Sequence, residues 1–103
     1  MSKIGSRVGA ILGADNSIVE FLGYGVYEGD FIPVESVGFM ADTMRKNGLT
    51  NPRIKLDSGK IVYGCECWWG DETAVQKRLA GYEKVVNVDI DNVRADWLAD
   101  SKR

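Results

Sequence analysis

The sequence has no histidine, only two cysteines and two prolines among 103 residues, and no apolar run near the roughly 20 residues a membrane-spanning helix needs. Without imidazole the chain cannot build Ser-His-Asp or Cys-His nucleophile systems, a histidine general base, or a His-rich zinc or iron site. Catalysis would fall to carboxylates, tyrosines, lysines or thiols. These absences favour a binding protein over an enzyme and imply no cofactor and no metal. The segment Met1-Ser2-Lys3-Ile4-Gly5 lacks the charged-then-apolar layout of a signal peptide, so the cytoplasm is the expected location.

What is present is ordinary for a folded domain. With 45% apolar and 27% charged residues, the chain can bury a core rather than stay disordered. No repeat, linker or low-complexity tract divides it, and one domain over residues 1–103 is expected. Arg7 to Ala14 alternates, Asp15-Asn16-Ser17 supplies turn chemistry, and Ile18 to Tyr27 follows as a second extended run. In that run Gly23 and Gly25 share a face and leave room for another backbone or a ligand. Val37, Met40, Ala41 and Met44 recur at helical spacing, which predicts a helix over 36–47 with Ser36 as N-cap and Gly48 as stop. Arg53 to Leu56, the turn Asp57-Ser58-Gly59-Lys60 and a strand from Ile61 to Trp69 read as a hairpin. A second helix is expected after Asp71 as N-cap, with Gly81 as its stop, then a strand over 83–90 and a short docked helix over 92–98. The order ββαββαβ(α) implies an α+β fold: a curled, largely antiparallel sheet with two or three helices packed on it.

The net charge of −2 hides a segregation. Residues 8–44 carry six acids and no Lys or Arg, whereas residues 45–60 carry Arg45, Lys46, Arg53, Lys55 and Lys60 against Asp57 alone. Such a basic stretch is a candidate anion-binding patch. It is equally what the wet face of a strand and the C-terminal turn of a helix would carry. Sequence-general DNA binding is not expected of a chain with pI near 5.1.

On a strand from Ile61 to Trp69, Cys65, Cys67 and Trp69 share the core-like face, and Gly64, Glu66 and Trp68 share the other. Cys-x-Cys without further Cys or His is a poor zinc site, and on a strand it lacks the helix N-terminus that activates redox thiols, so buried reduced thiols are expected. Trp97 also reads as core. Glu66 and Trp68 around Gly64 could wall a pocket, or could pack under a helix and pair with a lysine.

The segments Gly23-Tyr24-Gly25-Val26-Tyr27-Glu28-Gly29-Asp30 and Asn51 to Gly70, with Gly64-Cys65-Glu66-Cys67-Trp68-Trp69-Gly70 at its end, resemble small phage and prophage proteins of the anti-Thoeris signal-sponge family. The resemblance covers about a third of the chain. It implies a homo-oligomer built from dimers that captures a cyclic ADP-ribose isomer, or a cyclic oligonucleotide, in interface pockets without cleaving it. Such a ligand calls for stacking aromatics, cations for pyrophosphate and polar groups for ribose. The chain offers Trp68 with Tyr27 or Phe39, then Arg53, Arg45 and Lys55, then Asn51 and Glu66. The alternative is a protein-interaction module or enzyme inhibitor that docks its partner through Tyr24, Tyr27 and Trp68.

Overall fold

Val8, Gly9, Ala10 and Ile11 are buried in succession, the burial pattern of a strand covered on both faces. In the computed structural model, which describes residues 3–34 and 39–101, that strand, β1 (Arg7–Ala14), pairs antiparallel with β2 (Ile18–Phe31). The chain continues through α1 (Phe39–Lys46), β3 (Asn51–Leu56), β4 (Ile61–Tyr63), β5 (Trp68–Asp71), α2 (Glu72–Leu79), β6 (Lys84–Asn87) and α3 (Ile90–Ser101). The result is α+β, as expected: six strands in the order β4-β3-β2-β1-β5, with β6 paired to β2. The β2–β6 pairing is parallel and the others are antiparallel. Ser36 and Val37, expected in the first helix, lie outside the described residues, and α1 buries Ala41.

Alternation along β1 sorts two cores. Val8 and Ala10 join Leu22, Ile54, Leu56, Val62 and Ile90 on one face, where Tyr27, Trp69 and Val93 also pack. Ile11 joins Val19, Phe21 and Val75 on the other, under α2. Gly9 lies beneath α2, where a Cβ would come within 2.7 Å of Val75 Cγ1. Gly25 answers the expectation of close approach: a Cβ there would sit 2.2 Å from the Lys55 carbonyl oxygen of β3.

The strand expected from Ile61 to Trp69 is interrupted. After β4 the chain turns at residues 64–67 and crosses the sheet to pair as β5 on the far side of β1. The cause is local hydrogen bonding that outcompetes the ladder. Glu66 Oε1 accepts the Tyr63 N–H at 3.0 Å, and the Tyr63 carbonyl accepts the Glu66 N–H at 2.9 Å and the Cys67 thiol at 3.4 Å. The turn abolishes the alternation on which Glu66 and Trp68 would share a face. The strand expected over 83–90 is also shorter, because Ile90 opens α3.

Glu66 then anchors α3. Arg94 Nε donates to Glu66 Oε2 and Arg94 Nη2 to Oε1, both at 2.8 Å, and Nη2 also donates to the Ile61 carbonyl at 2.8 Å. Both side chains are almost wholly buried. Replacing Arg94 with alanine strands that carboxylate, so urea melts should show a loss of about 3–5 kcal/mol in unfolding free energy. A loss below about 1 kcal/mol, the size of a surface pair, would mean that α3 is not held this way.

Candidate functional site

The register of β2 against β3 slips between Tyr27 and Gly29, leaving Glu28 as the extra residue of a β-bulge. Gly29 carries φ +103°, a conformation that L side chains rarely adopt, so glycine lets the strand turn there and re-aim its neighbour. Glu28 points at Arg53, which lies opposite Gly29 on β3. Arg53 Nε and Glu28 Oε1 are 3.0 Å apart, yet the N–H does not point at the oxygen, and the contact is an ion pair without a hydrogen bond. The guanidinium carbon stands 4.9 Å from the centroid of the exposed Phe31 ring. Asn51, opposite Phe31 and only 9% exposed, turns its amide nitrogen to Met44 Sδ at 3.8 Å. Its Oδ1 has no partner. Among the described residues, the buried side-chain polar atoms without a hydrogen bond are Glu28 Oε1, Asn51 Oδ1 and Arg53 Nε, all at this end of β2 and β3.

The opposite face of this end of the sheet is aromatic core. Tyr27 stacks on Trp69 with ring centroids 5.1 Å apart, and its hydroxyl donates to Asp30 Oδ1 at 2.9 Å, which raises the phenol pKa. Gly64 is packed tightly: a Cβ there would meet Asn51 Oδ1 at 2.9 Å and both Pro52 Cδ and Trp69 Nε1 at 3.1 Å, so glycine is what fits.

The expected site residues therefore divide. Asn51 and Arg53 share one face at the end of β3, whereas Tyr27, paired with Ile54, lies on the other face with the core. Arg45 is close in the chain but committed elsewhere, donating to the Pro33 carbonyl at 2.9 Å and pairing with Asp42. Lys55 stands exposed on β3. Glu66 is buried under Arg94, and Trp68 lies on β5 with Arg78 stacked 4.6 Å over its ring, so the two do not wall one pocket. The side chain of Phe39 lies outside the described residues. Glu28 and Phe31 enter the site unexpected. The Glu28-Gly29 pair within an extended run was the available signal, since glycine there marks a bulge.

The basic stretch is folded against acids of its own chain. Arg45 meets Asp42, Arg53 meets Glu28, and Lys60 meets Asp89 and Asp91 at 2.6 and 2.9 Å. A concavity of about 270 Å³ between Leu22, Leu56 and Val88 is lined by that Lys60–Asp89 pair, whose polar atoms are satisfied. The Arg53 end is not satisfied, and that sets it apart. Among the described residues no group of three Cys, Asp or Glu could hold a metal ion, and no helix is long and apolar enough to cross a membrane. No family model, curated protein or solved structure matches the chain.

Cys65 and Cys67 are half-buried thiols beside this region. Burial, reinforced by the Glu66 carboxylate, pushes the Cys67 thiol up to about 12. At pH 8 about one Cys67 in ten thousand is then a thiolate, and the thiolate is the nucleophile. Iodoacetamide at that pH should leave Cys67 unmodified in the folded protein while labelling the unfolded chain fully, as read by peptide mass spectrometry. Rapid labelling would show that the 64–67 turn opens.

Proposed function

We propose that the protein binds an anionic nucleotide and holds it without cleaving it. The observation that carries this reading is the cluster of shielded atoms without hydrogen bonds at Arg53, Asn51 and Glu28 beside the partly exposed Phe31, whose ring the Arg53 guanidinium overlies. A guanidinium suits a phosphate or pyrophosphate, an aromatic face suits a base, and a carboxamide oxygen accepts from a base edge or a ribose hydroxyl. Lack of histidine supports sequestration over turnover. Exposed Phe31, Ile32 and Val34 lie next to the cluster in the chain, and a second copy of the chain seated on them would enclose the nucleotide between the two. In this reading the protein is phage-encoded, acts in the host cytoplasm as a homo-oligomer, and captures a cyclic ADP-ribose isomer or a cyclic oligonucleotide, as the sequence resemblance implies.

A protein-interaction module is the second reading, favoured by exposed Phe31, Ile32, Val34 and Leu49. Of the aromatics first expected to dock a partner, Tyr24 packs edge-on against Phe21 and Tyr27 stacks on Trp69, which leaves Trp68 as the exposed one of those three.

Thermal shift separates the two. A bound nucleotide stabilises the fold as RT ln(1 + [L]/Kd), about 2.7 kcal/mol at a hundred times Kd. A panel of cyclic dinucleotides, cyclic trinucleotides and cyclic ADP-ribose isomers should include one that raises the melting temperature with concentration, and Arg53→Gln should remove the shift. The nucleotide should be recovered intact after heat denaturation. A silent panel rejects the reading, and a degraded product makes the protein an enzyme.

A further inference from the structure

We infer that Glu28 is an internal competitor for the anion site, a carboxylate held against Arg53 in the place that a ligand phosphate takes. The inference rests on the nucleotide reading and adds what selects the ligand.

Other arginine pairs of the same chain show what a settled pair looks like. Arg94 meets Glu66 through two hydrogen bonds of 2.8 Å, and Arg7 meets Asp57 through two of 2.7 Å. These are the parallel contacts that fit a guanidinium to a carboxylate. Glu28 and Arg53 come as close, 3.0 Å, and do not make such a bond: Nε and Oε1 are both shielded from solvent and both unpartnered. Polar atoms shielded from water and left without a hydrogen bond forgo the stability that a well-aligned pair gains. A structural role for the pair therefore explains its position poorly. A placeholder role explains it better.

The backbone supports this independently. Glu28 is the bulged residue, with no partner across β3, next to a glycine at positive φ. Its side chain is aimed at Arg53 by the bulge rather than by the regular ladder, and it remains about a third exposed, which leaves it a path to water when displaced. A tetrahedral phosphate presents several acceptor oxygens to the guanidinium fork and can satisfy Nε in a way the off-angle carboxylate does not. Displacing Glu28 requires a strong anion. The site should thus favour phosphate and pyrophosphate groups, discriminating against neutral nucleosides that cannot expel the carboxylate.

Calorimetric titration of the full chain with inorganic pyrophosphate, with the nucleotide that gives the largest thermal shift, and with adenosine tests this. Glu28→Gln should bind pyrophosphate and the nucleotide at least about tenfold more tightly than the natural chain, because a like charge beside the ligand is removed. Adenosine binding should not change, and adding Arg53→Gln should erase the gain. Glu28→Ala, which has no group to hold Arg53, should tighten binding in the same direction and serves if the Gln variant does not fold. If the natural chain binds the nucleotide but both Glu28 variants bind it equally or more weakly, Glu28 is no competitor while the nucleotide reading stands. Equal gains for adenosine would also overturn the inference, since the effect would then be space rather than charge. If no variant binds any probe, the nucleotide reading and this inference fall together.

Discussion

Everything in the sheet depends on how closely β3 can approach β2. Strand β2 runs for 14 residues and bonds to β1, β3 and β6, so it is the one element that carries three neighbours. Its first part lies between β1 and the parallel β6, β1 and β3 flank it together around Gly25 and Val26, and from Tyr27 on its ladder is with β3. The hand-over occurs around Gly23 and Gly25, where φ +139° at Gly23 and a Lys55 carbonyl 2.2 Å from where a Gly25 Cβ would be leave no alternative residue. The β2–β3 ladder then runs on past the bulge to its last pairs, Asp30 with Pro52 and Phe31 with Asn51. The site residues Glu28, Phe31, Asn51 and Arg53 thus stand at the far end of a ladder whose start is set by missing side chains.

Much of this arrangement is legible in the sequence. Alternation marked β1 and the start of β2, helical spacing marked α1, and the glycine pair in β2 announced a close approach that the fold does contain. What local pattern could not show was the fate of Gly64 to Cys67. Period-two spacing continues through those residues in the letters, but a glutamate that can bond its own backbone at Tyr63 ends the strand, and nothing in the spacing distinguishes that glutamate from one facing solvent. The partner that makes the turn worthwhile, Arg94, is 28 residues away. Long-range pairing of this kind is invisible to periodicity, and it removed Glu66 from the expected site while leaving Trp68 on another strand beneath Arg78.

Charge segregation was visible too, and its outcome was not. The acidic 8–44 segment and the basic 45–60 segment meet within one chain, Glu28 with Arg53 and Asp42 with Arg45. Part of the basic block is thus paired with acids of its own chain, Arg53 across β2 and β3, Arg45 along α1, and Lys60 with Asp89 and Asp91. What remains for an external anion is then decided by the quality of each pair rather than by their sum.

That quality is uneven. Bidentate pairs such as Arg94 with Glu66 complete their hydrogen bonds and have little to gain from a new partner. A guanidinium whose Nε–H finds no acceptor, beside a carboxylate oxygen that finds no donor, gains from any group that supplies both geometry and charge. Partial shielding of these atoms from water makes a better-fitting anion worth more there than on fully open surface. The same bulge that prevents Glu28 from satisfying Arg53 therefore makes this end of the sheet, rather than the saturated pairs elsewhere, the place where a ligand can change the energy of the fold.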